Sequence, residues 1–375
     1  MIAAPAHDCP LSPLAPLPRW TADRPGVGGV ARAQVEDFEV EELPLYTPCG
    51  QGDHLYLWVQ KRDLAGPMLR RVLSEQLGVP QGDIGMAGLK DRRAVTRQWI
   101  SVPARGVDPD RLDDPRVQVL RAERHGNKLR TGHLAGNRFV VRLRELEGDP
   151  STFAGRVAAK LAAIREHGMP NFYGEQRMGH GGSTLAAGWA LGAGHDGRVR
   201  VRTPDGVVHQ LHLRDRSLRR LAASAVQSEI FNRVVAARLA AGSLDRVLPG
   251  DLCQKTDTGG SFVTDDIVRE QGRLERGEVA ITGPMWGPKM MRPAADVAAL
   301  EERVLAESGL TESLFRTIGS LAAGTRRAVV VRPGELEATL DEDGLQLRFT
   351  LPAGSFATVL MHEFMGPSED ALPCA

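Results

Sequence analysis

Cysteine is scarce in this chain, and neither sign of charge predominates. Cys9, Cys49, Cys253 and Cys374 are far apart and form no CxxC pair. A zinc site or a disulfide framework is therefore not expected, and a reduced, cytoplasmic setting fits. Lys plus Arg total 47, and so do Asp plus Glu. The basic excess usual in nucleic-acid binders is missing, so any such surface must be a local patch. No apolar run is long enough to span a membrane. The opening MIAAPAHDCPLSPLAPLPRW lacks a basic start and a continuous apolar stretch, so it does not read as a signal peptide. Its prolines predict a flexible leader over residues 1–26. Walker A, dinucleotide-binding and HExxH patterns are also missing, an absence compatible with many functions.

What is present has the makeup of a globular protein. Of 375 residues, 42% are hydrophobic and 25% charged, enough for one large or two medium domains. Residues 30–43 read as a strand, with Phe38 and Val40 on one face and Asp37, Glu39 and Glu41 on the other. Residues 54–60 alternate again. Pro67 is placed to open a helix with the stripe Met68, Leu69, Val72, Leu73 and Leu77, which Gly78 ends. Strands follow at 117–121 and 137–146, and a helix at 151–167. After Gly168 the text becomes richer in turns and then in helix, longest at 217–241, with loop-like stretches at 249–262 and 281–293 and a charged helix near 296–308. Strand texture returns at 328–333, 335–340 and 345–352, and a short helix begins near Ser355. The pattern predicts an α+β domain over 27–167 and 325–365, an insertion over 168–324 and a tail over 366–375.

One stretch carries chemistry. In GMAGLKDRRAVTRQWIS (85–101), Gly85 and Gly88 permit tight turns. Asp91 has Lys90, Arg92, Arg93 and Arg97 close by in sequence, which favours the charged form of a carboxylate. A strand follows at once. A held carboxylate on such a turn suits a nucleophile or a base, although a lone KDR is more often a surface salt bridge.

GLKDRRAVTRQ (88–98) resembles the catalytic motif GxKDxxAxTxQ of the TruD family of tRNA pseudouridine synthases. Four other segments are similar to motifs of that family: VEDFEVEE (35–42), HLAGNRFVVRLR (133–144), PNFYGEQRMGHGGS (170–183) and LPAGSFATVLMHEF (351–364). The resemblance implies a pseudouridine-synthase domain on a mixed sheet, with a TRUD domain inserted beside the catalytic cleft. It implies Asp91 as the catalytic residue and Phe38, Asn137, Phe139, Phe356, Arg32 and Lys90 as substrate-binding residues. Arg32 matches the basic residue that the family places ahead of the EDF motif, which would hold the Asp91 carboxylate; the family pattern has lysine there, so the charge is kept and the reach altered. The three phenylalanines would converge near Asp91, with Phe139 stacking on the target base and Asn137 meeting a uracil edge or ribose hydroxyl. The implied reaction turns uridine 13 of tRNA into pseudouridine without cofactor or metal, in a cytoplasmic monomer.

Arg177 and Gln176, in the fourth segment, would contact phosphate or sugar or else form a hinge. Basic clusters at Arg121, Arg124, Lys128 and Arg130, at Arg214, Arg216, Arg219 and Arg220, and at Arg326 and Arg327 are candidates for the tRNA surface. Two other readings stay open: a non-catalytic RNA-binding protein that keeps the cleft, and a carboxylate-dependent enzyme on free nucleosides, a class that usually needs a second carboxylate.

Overall fold

The computed structural model describes residues 7–10 and 16–366. The chain packs as two compact units, one of Thr21–Glu166 with Arg332–Ala375 and one of Met1–Trp20 with His167–Val331. The first unit is built on a nine-stranded sheet. Its main strands, in chain order, are β1 (Phe38–Pro44), β2 (His54–Arg62), β3 (Val95–Pro103), β4 (Val117–His125), β5 (Leu134–Arg144), β6 (Gly334–Asp341) and β7 (Gly344–Pro352). In space they run β6-β7-β5-β1-β3-β2-β4. The short pieces Val30–Ala31 and Gly85–Met86 lie on β5 and β3. β1 and β3 are parallel and the other neighbours antiparallel.

Register decides which side chains share a face. Lys61, Thr96, Val40, Phe139 and Phe349 stand opposite one another in a single row across β2, β3, β1, β5 and β7. Cross-strand partners point the same way, so a lysine, with Val117 of β4 opposite it on its other side, stands in a row that is otherwise apolar or nearly so. Helix α1 (Gly66–Leu77) covers part of this face, with Leu69, Leu73 and Leu77 buried in one cluster with Leu57, Val59, Ile100 and Val102. Each such aliphatic chain contributes about 1.5–3 kcal/mol on burial. Pro67 lies in the first turn and Gly78 closes the helix at φ 67°, as the sequence predicts. Helices α2 (Pro150–His167) and α3 (Ala357–Met365) complete the unit.

Several expectations are corrected. Met68 is 43% exposed, because at about 100° per residue it falls outside the arc of the other stripe residues. Asp37 is buried rather than solvent-facing: Val35–Asp37 is a 3-10 turn, and Asp37 accepts from Arg144 Nε at 2.8 Å and from the Gln34 N–H at 2.7 Å. Of the expected leader, His7–Pro10 pairs in parallel with Arg198–Arg202, and Thr21 is buried with its hydroxyl donating to Glu363. Residues 1–6 and 11–15 of the leader, and the tail from 367, lie outside the described residues.

In the second unit, Arg216–Ala240 is a 25-residue helix. It starts where Asp215 accepts from the Ser217 and Leu218 N–H groups, a side-chain N-cap. Helices Ser183–Gly192, Ala295–Glu307 and Glu312–Ile318 join it around a core that includes Trp286, Phe315, Val226 and Ile230. The loop-like stretches prove to hold strands: Leu252–Lys255, Ser261–Val263 and Val279–Met285 form a sheet with Thr325–Ala328. Pro284 is tolerated because pairing with Leu252–Lys255 ends at Ile281, so its missing N–H affects one ladder at most. The expected strand at 328–333 belongs to this unit, through Thr325–Ala328 and through Val330–Val331 paired with Met169–Pro170. Among the described residues, no helix is long and apolar enough to cross a membrane.

Candidate active site

Asp91 lies on the turn between Gly85–Met86 and β3. Gly85 is required there: a Cβ would come within 2.3 Å of the Leu129 carbonyl oxygen and 2.4 Å of Ser101 Oγ. Gly88 is different, since a Cβ there would meet nothing closer than 3.9 Å. None of the four cations near Asp91 in sequence pairs with its carboxylate. Lys90 donates to Glu42 at 2.7 Å, Arg92 lies 3.8 Å from Asp63, Arg93 donates to the Ala33 carbonyl and Arg97 pairs with Glu39 at 3.2 Å.

The partner is Arg32, whose Nη2 donates to Asp91 Oδ1 at 3.0 Å. Both side chains are about one quarter exposed. Arg32 has φ 56°, a left-handed conformation that costs a non-glycine residue roughly 1–2 kcal/mol. Its guanidinium carbon sits 3.8 Å from the centre of the Phe38 ring, a cation–π arrangement. Phe38 meets Phe139 edge-on at 6.0 Å, and Phe139 stacks on Phe349 at 5.2 Å. Asp91, Arg32, Phe38 and Phe139 therefore form one line of contacts. Asp91 Oδ2 has no protein partner among the described residues, so one oxygen is anchored and the other is free to react.

Asn137 stands on the face of Phe139, opposite Glu42 on one side and Leu351 on the other. Its Oδ1 is buried without a partner, which a buried acceptor tolerates only at a cost of about 1–3 kcal/mol. Gly136 before it lets β7 approach: a Cβ would lie 2.3 Å from the Leu351 oxygen. Phe356 is half-buried at the head of α3, four residues beyond Pro352, which pairs with Gly136.

Lys90, a substrate-binding residue by resemblance, stands beside Glu42. Its ammonium and the Glu42 carboxylate are almost wholly out of solvent. Burial pushes the Glu42 carboxyl above the usual range, and the Lys90 ammonium beside it pulls it back. Sequence reasoning also missed Lys61. Fully buried, it donates from Nζ to the Asp91 carbonyl oxygen at 2.5 Å. Arg326 and Arg327, offered as RNA contacts, are instead engaged inside the second unit. Arg326 grips Glu301 with both terminal nitrogens, and Arg327 lies over Tyr173 and donates to Asn171. Arg177 hydrogen-bonds Ser224 and lies over Tyr173, while Gln176 is exposed. Arg121 and Arg124 remain exposed.

The site is thus carboxylate-centred, on an α+β sheet whose sequence is interrupted by a second unit. Comparison with known proteins identifies it further. The chain belongs to the family described as tRNA pseudouridine synthase D (TruD), whose model matches residues 17–194 and 200–364. It is 45% identical over 350 residues to the tRNA pseudouridine synthase D of Anaeromyxobacter dehalogenans strain 2CP-1, covering 92% of this chain and 95% of that one. A protein of the same name from Thermus thermophilus is 40% identical, with 93% and 92% covered. The fold matches the crystal structure of a Methanosarcina mazei protein described as TruD, with a TM-score of 0.72, 24% identity, and 92% and 95% of the two chains covered.

Proposed function

We propose that this chain isomerises uridine to pseudouridine in tRNA, at position 13, in the cytoplasm and as a monomer. The observation that carries the reading is the half-anchored carboxylate: Arg32 holds Asp91 Oδ1 while Oδ2 stays free. The reaction breaks the bond from N1 to C1′ of uridine and joins C5 to C1′; C5 gives up its proton and N1 ends protonated, so no atom is gained or lost. Asp91 either attacks C1′ or takes the proton from C2′, and its ion pair with Arg32 aims it at the ribose in both routes. Position 13 is stacked inside folded tRNA, so the base must be flipped out at a cost of a few kcal/mol. Phe139 and Phe38 supply an apolar wall for the extruded uracil, and Asn137 Oδ1 accepts from uracil N3–H. Phe356 closes the same pocket from α3. The exposed Arg121 and Arg124 contribute phosphate contacts that position the RNA.

The test is incubation of purified protein with unmodified tRNA transcripts, followed by mapping of pseudouridine at nucleotide resolution. A single new pseudouridine at position 13 is expected. Modification at another site would overturn the position, and intact uridine in every tRNA tried would overturn the activity.

A further inference from the structure

Lys61 is the one inward-facing cation in the row across the sheet, and its burial is complete. A charged amine taken out of water needs compensation, ordinarily from a carboxylate. Lys61 has no ion pair among the described residues. Its hydrogen bond goes to a neutral group, the backbone carbonyl of Asp91, at 2.5 Å. Thr96, directly across the strand pair, has a buried hydroxyl with no partner and does not share the load. A methionine would fill the site at less electrostatic cost, so stability does not account for the lysine.

Its location does. The neighbours that bear on its charge are Asp91 and Asp63, which favour the ammonium, and Lys90, which opposes it and is itself tied to Glu42. Arg32 holds the Asp91 side chain from one direction, and Lys61 holds its peptide from another. Two cations thus fix one residue, one at the carboxylate and one at the main chain. A held carbonyl resists rotation of the peptide plane and so steadies the direction in which the side chain leaves the backbone.

We propose that Lys61 is a positioning residue for catalysis: its ammonium clamps the Asp91 peptide so that the free carboxylate oxygen points at the reacting ribose. This rests on the reading of Asp91 as the reacting group. Burial pushes the Lys61 amine down to about 8, with Asp91 the main opposing influence. The clamp therefore weakens as pH rises through that value, because the neutral amine is a poorer donor than the ammonium.

The test compares wild type, Lys61→Met, Lys61→Arg and Asp91→Asn in single-turnover assays on unmodified tRNA from pH 6.5 to 9.5, with tRNA affinity and thermal stability measured alongside. Lys61→Met is expected to be at least as stable as wild type, to bind tRNA within about threefold of it, and to react about a hundredfold more slowly, the scale of a small misplacement at a reacting centre. A merely structural lysine predicts the reverse, a less stable protein of normal rate once folded. Lys61→Arg stays charged throughout the range, so the wild-type fall in rate near pH 8 should vanish in it, and this decides the matter if Lys61→Met does not fold. A Lys61→Met rate within threefold of wild type, or a wild-type rate that is flat to pH 9.5, overturns the clamp. An active Asp91→Asn variant overturns instead the reading on which the clamp rests.

Discussion

Lys90 and Glu42 form a 2.7 Å ion pair from which water is shut out, with side chains 4% and 0% exposed. Glu42 also accepts from the Trp99 N–H, so the pair ties β1, the Asp91 turn and β3 together. Lys90→Met would leave a buried carboxylate without its cation, which costs about 3–5 kcal/mol. The double variant Lys90→Met with Glu42→Gln should recover part of this, because the two effects are coupled. Urea unfolding of the three proteins checks it. If Lys90→Met kept full stability and lost tRNA affinity, Lys90 would be a substrate contact after all.

Asp91→Asn should lower turnover by about a thousandfold or more while tRNA binding stays nearly intact, since one side chain supplies the chemistry and many phosphate contacts supply affinity. Single-turnover kinetics and filter binding measure the two separately. Turnover within tenfold of wild type would remove Asp91 from the mechanism.

Arg32 acts at two places, the carboxylate and the Phe38 ring. Arg32→Ala should reduce kcat about 10²–10³-fold, the usual effect of losing one donor at a reacting centre. Arg32→Lys should fall between, because it keeps the charge but loses the planar stack. Equal rates for the two variants would show that charge alone contributes nothing, and a wild-type rate for Arg32→Lys would show that only the charge matters.

Phe139→Ala and Phe349→Ala should each cost about 3–5 kcal/mol in stability, because both rings are buried against each other. Only Phe139→Ala should also slow the folded enzyme, since only Phe139 touches Phe38 in the line that leads to Asp91. Equal turnover of the two variants, measured where both are folded, would reduce Phe139 to core.

Stability and activity should part company in alkali. The Lys61 amine loses its proton near 8 in the folded protein, against 10.5 ordinarily. Between these values the unfolded chain binds more protons, so the contribution of Lys61 to stability rises with pH while its clamp weakens. Subtracting the unfolding free energy of Lys61→Met from that of wild type at each pH isolates this contribution. A difference that stays constant from pH 7 to 10 would mean that the amine is not perturbed.

Much of this was legible in the residues. Proline and glycine bounded α1, residues 217–241 read as the longest helical stretch, and strand alternation located β1, β2 and β5. Contacts of long range were less so. The cations beside Asp91 in sequence turn away, and the ion pair comes from Arg32, 59 positions upstream, a partner that only the family resemblance pointed to. A signal for the missed residues did exist. Leu55, Leu57 and Val59 alternate inward on β2, and the next inward position is Lys61. Phe38 and Val40 alternate inward on β1, and the next is Glu42. A charge that breaks an apolar alternation marks a buried polar contact, but its partner depends on register, which one strand cannot specify. The strands of the second unit were hidden for another reason. They are three to seven residues long, and the longest, Val279–Met285, carries Gly283 and Pro284, so local signals were weak where sheet pairing later supplied the structure.

The first unit is discontinuous, and this sets an order on its synthesis. Strand β5 emerges from the ribosome early, with β1 already available on one side. Its other neighbour, β7, lies beyond the whole of His167–Val331. Until then the Asn137 and Phe139 strand presents an open edge of unpaired amides, a surface prone to pairing with foreign strands. A nascent chain halted within the insertion would hold Asp91, Arg32 and Phe38 but lack the strand that buries Phe349 against Phe139. Such a chain needs protection from aggregation during translation.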